Sequence, residues 1–166
     1  MDAISIRVAV PSDEAALTEL IAASYRSLDD GSYESAKLKA ALPFMSKANP
    51  TLLASGTYYI ADIGGQIAGC GGWTREIPGG AGIIEGVGHI RHFATHPDHV
   101  RKGVAAALLR HCLAQATSAG IIRMMSQATL PAERFYEAAG FRRLRMIEVA
   151  MGPVTLPAIE MERALP

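Results

Sequence analysis

Between Ile90 and Leu109 the chain reads Ile-Arg-His-Phe-Ala-Thr-His-Pro-Asp-His-Val-Arg-Lys-Gly-Val-Ala-Ala-Ala-Leu-Leu, and this segment narrows the available folds more than any other. A β-rich run ends in a turn at His96-Pro97-Asp98, and a long helical pattern begins at small residues. The spacing predicts a central strand over Ile83–Thr95 and a helix over Val104–Ser118. Val104, Leu108, Cys112 and Leu113 share the helix's apolar face, and Gly120 stops it. The first amides of a helix have no intrahelical partners, and its dipole favours an anion there. Gly103, Ala105 and Ala106 leave those amides bare, so a pyrophosphate can rest on the backbone, with Arg101 and Lys102 adding charge at the rim.

The rest of the chain alternates helix and strand signals. Ile4, Ile6 and Val8 alternate as a first strand, and Pro11-Ser12-Asp13 opens a helix carrying Ala16, Leu17, Leu20 and Ile21. A second helix is expected over Tyr33–Met45, with Pro43 obscuring its end. Thr57–Ile63, Gly64-Gly65 and Gln66–Trp73 read as a hairpin. Gly69, Gly71 and Gly72 weaken that second strand unless the backbone needs close approach. A strand over Ile121–Ser126, a helix over Pro131–Ala139 and strands over Phe141–Val149 and Ile159–Arg163 complete the pattern. The interleaving indicates an α/β or α+β class with a mixed sheet, in one domain spanning residues 1–166.

Bulk properties exclude several classes. The 166 residues suit one domain, and 49% apolar against 19% charged residues suits a packed core rather than disorder. Sixteen acidic residues balance sixteen basic ones, which argues against a nucleic-acid binder. Cys70 and Cys112 form no metal-type cluster, so no metal is expected. The N-terminus lacks a secretory layout, and no apolar run nears the roughly 20 residues of a membrane span. The expectation is a cytoplasmic protein with no membrane or nucleic-acid partner; a homodimer is left open. A nucleotide binder is disfavoured, because neither Gly-Lys-Ser/Thr after a phosphate loop nor Gly-x-Gly-x-x-Gly occurs.

The order strand, His-Pro, basic pair, Gly-x-Ala, Leu-Leu helix resembles the cofactor-binding motif of the GNAT superfamily of acetyltransferases. Val100-Arg101-Lys102-Gly103-Val104-Ala105 is similar to the family's Gln/Arg-x-x-Gly-x-Gly/Ala, with Val100 in place of the usual Gln or Arg. Downstream, Ala132-Glu133-Arg134-Phe135-Tyr136-Glu137-Ala138-Ala139-Gly140-Phe141 resembles Ala-x-x-Phe-Tyr-x-x-x-Gly-Phe, and Thr129 stands where members often carry Asn. The resemblance implies a GNAT-like fold, with a mixed, mostly antiparallel central sheet flanked by helices, that transfers the acetyl group of acetyl-CoA to a primary amine, or a non-catalytic acyl-CoA-binding domain of the same fold. It places the co-substrate on Phe93, Ala94, Thr95, Val100, Arg101, Lys102, Gly103, Val104, Ala105, Ala106 and Thr129. The Phe93 amide would bond the thioester carbonyl, Thr95 would hold the pantetheine arm, and Tyr136 would protonate the departing thiolate.

For the base, Glu85, His89 and His92 lie on or near the strand. His89 is chosen because, on an unbroken strand, it shares a face with Phe93 and an imidazole suits proton transfer near neutrality. Acceptor recognition is expected in Ser24–Met45 and Arg75–Gly86. There Asp29, Asp30 and Glu34 offer attraction for a cationic amine.

Overall fold

A computed structural model describes residues 3–166. Met1 and Asp2, part of the N-terminus read above for a leader, lie outside the described residues. In chain order the elements are β1 (Ile4–Val8), α1 (Glu14–Arg26), α2 (Ser35–Met45), the short α3 (Pro50–Leu53), β2 (Tyr58–Ile63), β3 (Gln66–Thr74), β4 (Val87–Thr95), α4 (Val104–Ser118), β5 (Arg123–Ala128), α5 (Glu133–Ala138), β6 (Arg142–Met151) and β7 (Val154–Ala164). The seven strands form one sheet in the order β1-β2-β3-β4-β5-β7-β6. Every pairing is antiparallel except β4 with β5. The mixed, mostly antiparallel sheet expected from sequence is therefore present.

Two apolar layers cover the sheet. α4 buries Val104, Leu108, Leu109, Cys112, Leu113 and Ala116 against Tyr59, Ala61, Trp73 and Met124. On the other face, α1 buries Leu17, Leu20 and Ile21 against Tyr58, Ile60, Cys70 and Ala94. A smaller cluster joins Leu38, Ala41 and Met45 of α2 to Leu156 of β7. Each fully buried Leu or Ile contributes roughly 1.5–3 kcal/mol relative to exposure. Both cysteines are free and buried, and burial pushes the Cys70 thiol up to about 12, which leaves it inert.

Local chemistry explains the boundaries that moved. The central strand starts at Val87, not Ile83. Gly86 is left-handed at φ 76°, and its carbonyl accepts from the amides of Ile122 and Arg123, so the chain bends there. Ile83 instead bridges Glu76. α2 begins at Ser35 and keeps Pro43 in its last turn. Leu130–Ala132 forms a 3₁₀ turn ahead of α5. β5 starts two residues later than expected and runs to Ala128, while β6 runs through Met151 and β7 begins at Val154, joined by Gly152 at φ 65°. The β2–β3 hairpin turns on Gly64 and Gly65, both at positive φ as a two-residue turn of the mirror-image type requires.

Candidate functional site

β4 and β5 separate soon after they meet. Their parallel pairing covers Val87 with Arg123, Gly88 with Met124 and His89 with Met125. Beyond it, Ser126, Gln127 and Ala128 pair only with β7, and β4 continues against β3. A wedge opens between the two strands, which leaves one edge of β4 without a strand partner.

At that edge the strand is bulged. Cys70 faces Ala94 and Gly72 faces Arg91, so His92 and Phe93 together oppose the single residue Gly71. His92 takes up the irregularity at φ 52°, left-handed for a non-glycine residue. The bulge reverses the alternation of side chains. Ile90 packs in the α4 layer while Ala94, four residues on, packs in the α1 layer. His89 and Phe93 are thus placed on opposite faces, and the expectation that they share one is corrected. Gly71 is required here: a Cβ on it would lie 2.4 Å from the Phe93 ring. Past the bulge the strand is regular. The Thr95 amide donates to Ser24 Oγ at 3.3 Å, away from β3, and alternation turns the Phe93 amide the same way, into the wedge. The Phe93 carbonyl on this edge accepts from the Tyr25 hydroxyl at 3.3 Å.

The wedge forms a cleft of about 280 Å³ lined by Tyr25, Phe93, Ala94, Thr95, Ser126 and Tyr136 among others. Thr95, Val100, Ala105, Thr129 and Phe135 also line a second cavity of about 700 Å³, which reaches Arg101, Gly103, Val104 and Ala106 at the start of α4. One groove therefore runs from the helix N-terminus into the split sheet. Gly103 caps the helix at φ 79°, and a Cβ there would meet nothing within 4 Å. The first helical bond runs from Ala107 to Gly103, so the amides of Val104, Ala105 and Ala106 have no intrahelical acceptor. These open amides fit an anionic group. Lys102 is not among the lining residues, but its Nζ lies 3.4 Å from Nδ1 of His99, which is, so its charge stands at the rim of the groove.

Tyr136 projects from α5 into the wedge and is 5% exposed. Its ring meets Phe135 and Phe141 edge-on at 5.1 and 5.3 Å. Burial pushes its pKa up, the Ser126 hydroxyl beside it pulls down, and the phenol stays protonated at neutral pH. His89 lines a cavity of about 70 Å³ with Pro78, Ser126 and Glu160, at the vertex of the split. Its buried Nε2 has no partner among the described residues. Burial lowers its pKa, and Arg91 and Arg123 lower it further. His92 lies elsewhere. It lines both the cleft and a cavity of about 560 Å³ on the far side from α4. Its Nε2–H donates to the Met45 carbonyl at 2.9 Å, which leaves Nδ1 as the lone-pair nitrogen. Burial lowers the His92 pKa, the Met45 bond raises it, and Arg91 lowers it.

Glu85, Asp29, Asp30 and Glu34 are exposed and line none of these cavities, so the acidic attraction expected for an amine is not at this cleft. Asp30 instead accepts from the Ser32 amide at 2.9 Å. Within the Ser24–Met45 stretch expected to carry recognition, the sequence did not single out Ser24 and Tyr25, which α1 brings to the cleft, Leu28 just beyond it, or Tyr33, whose hydroxyl accepts from the Leu130 amide at 2.8 Å beside Thr129. The signal for Ser24-Tyr25 was a polar pair following an apolar helical face. Among the described residues no His, Cys, Asp or Glu cluster could hold a metal, and no helix is long and apolar enough to cross a membrane.

A groove from bare helix amides into a split sheet is the architecture of an acyl-group transferase, and the comparisons agree. The acetyltransferase (GNAT) domain family matches residues 54–143. The chain belongs to this family. Among curated proteins no sequence match was found. A GCN5-related N-acetyltransferase from Rhodopseudomonas palustris superposes with TM-score 0.81 at 20% identity, covering 99% of this chain and 98% of that one. The PaiA N-acetyltransferase from Thermoplasma acidophilum, solved with coenzyme A, gives 0.71 at 16% identity over 98% and 99%. A GNAT-family acetyltransferase from Staphylococcus aureus gives 0.70 at 15% identity over 99% and 100%. At these identities the likeness is one of fold.

Proposed function

We propose that the chain transfers the acetyl group of acetyl-CoA to a primary amine by direct attack, with both substrates bound together. The observation that carries this reading is the continuity of the groove. The bare α4 amides, the edge of β4 at Phe93 that has no strand partner and the protonated phenol of Tyr136 lie along one channel. When bound, acetyl-CoA supplies an activated acyl carbon and a thiol leaving group.

The chain's own groups supply the rest. The amides of Val104, Ala105 and Ala106 hold the pyrophosphate, with Arg101 at the rim. Thr95, Val100 and Thr129 flank the arm where the two cavities join. The Phe93 amide donates to the thioester oxygen as negative charge gathers there, and such a donor contributes on the order of 10²–10³ in rate. The amine lone pair forms the new C–N bond and the C–S bond breaks. Tyr136 gives its proton to the departing sulfur, and a base removes one proton from the amine, so charge balances. His92 is the better placed base: it sits in the bulge, borders both cavities, and keeps Nδ1 as the lone-pair nitrogen.

Acetyl-CoA should raise the melting temperature more than ATP or NAD does, and an amine panel should release free thiol from it. The reading fails if acetyl-CoA produces no shift; a shift without thiol release on any amine leaves a binding domain instead.

The histidine has its own signature. Nδ1 accepts a proton only while the ring is neutral, and the environment lowers its pKa below the ordinary 6.5. Neutral ring and neutral amine are then both needed. The acid limb of kcat/KM should steepen from one-proton to two-proton dependence as pH falls through that lowered value. His92→Asn, which tolerates the left-handed backbone, should return the limb to one proton. An unchanged two-proton limb in the variant would remove His92 from the mechanism.

A further inference from the structure

We propose that the acetyl acceptor is an amine that also bears a carboxylate, and that Arg91 determines this preference; the proposal rests on the transferase reading above. The cavity of about 560 Å³ meets the cleft at Tyr25, Ile90, His92, Gln127 and Thr129, so an amine approaching Phe93 from the side away from α4 passes through it. Its charged lining consists of Lys47 and Arg91, with no Asp or Glu. This is not a consequence of composition, because the chain carries equal numbers of acidic and basic residues.

Arg91 stands two residues before Phe93, on the strand whose edge receives the thioester oxygen. Its guanidinium is half-buried and donates to a neutral partner, Thr74 Oγ1, at 3.0 Å. No carboxylate among the described residues comes within 4 Å of it. Glu76 lines the neighbouring cavity of about 780 Å³ together with Arg75 and Arg91, and its charge favours the guanidinium from a distance. A half-buried guanidinium held by one hydroxyl keeps most of its five donors free, and its planar fork suits a carboxylate in bidentate geometry. The other arginines with half-buried carboxylate partners, such as Arg145 with Glu160 at 3.2 Å, are already satisfied. Lys47, exposed at the mouth, adds attraction for the same anion.

The test uses matched acceptors that differ only in the charge: amino acids and dipeptides, their C-terminal amides, and diamines, each followed by thiol release at saturating acetyl-CoA. The free acids should exceed their amides in kcat/KM by about tenfold to a hundredfold, the range expected of a charge-assisted bond. Arg91→Gln should erase the difference by raising KM for the acids with kcat little changed, and Arg91→Lys should restore part of it. The acetyl-CoA melting shift should persist in both variants, which certifies that they are folded and bind the donor. Amides or diamines that match the acids, an acid preference that survives Arg91→Gln, or an acid arm that releases no thiol would each overturn the proposal. Loss of the acetyl-CoA shift in the unaltered protein would instead strike the transferase reading.

Discussion

Tyr136→Phe should leave the acetyl-CoA melting shift unchanged and lower kcat by about 10²–10⁴-fold, the range for removing a positioned proton donor. The ring's edge-on contacts with Phe135 and Phe141 survive the change, since phenylalanine keeps the same shape. What disappears is one oxygen and its proton. Because burial holds the phenol protonated, the proton is available at neutral pH and is offered to the sulfur as charge develops there. The variant also removes the oxygen that shares the cleft with Ser126, a residue 2% exposed. Ser126→Ala is the control for a polar change in the same cleft, with a much smaller drop in kcat expected. Single-turnover measurement keeps product release from masking the chemical step. If the two variants lose kcat equally, Tyr136 acts through packing and the acid lies elsewhere.

The groove was legible in the sequence to the extent that it is local. The start of α4 announces itself because small residues, a turn and a long apolar stripe are contiguous, and the structure puts Gly103, Ala105 and Ala106 around one cavity. The hairpin was legible because Gly64-Gly65 satisfies a turn that few residues can. The bulge was not. An extra residue in a strand shifts the parity of everything beyond it, and alternation by itself carries no mark of where the shift falls. The hint lay on the opposite strand, where Gly71 removes the side chain that the Phe93 ring displaces. Counting along an unbroken strand sent attention to His89; the bulge moves it to the face opposite Phe93. The contributions of Ser24, Tyr25 and Tyr33 were hidden for another reason. They arise from how α1 and the following turn lie across the sheet, which depends on tertiary packing rather than on any spacing within the segment. Asp29 and Asp30 illustrate the converse, since charge in the right stretch of chain is not charge at the right place.

Gly103→Glu should abolish binding of acetyl-CoA. For the unaltered protein at a ligand concentration of 100 Kd, mass action stabilises the fold by about 2.7 kcal/mol. In a domain of this size that is about 5–11 °C of Tm, at roughly 2–4 °C per kcal/mol. In the variant the shift should vanish, because a carboxylate at the helix cap occupies the open space beside Gly103 and repels the pyrophosphate from the amides of Val104, Ala105 and Ala106. The left-handed φ of 79° adds a second effect, since any side chain there strains the backbone by roughly 1–2 kcal/mol. Gly103→Ala separates the two. It carries the strain, lowers the melting temperature of the free protein, and keeps much of the ligand shift because its methyl group enters empty space. Lys102→Glu makes the sharper comparison. It reverses a charge one residue away, at the rim beside His99, and leaves the open amides of Val104, Ala105 and Ala106 uncovered, so more of the shift should remain than in Gly103→Glu. A cradle made of backbone amides predicts that order of severity, with Glu at 103 far worse than Glu at 102. A site held by the basic rim predicts that the two acidic variants lose binding alike.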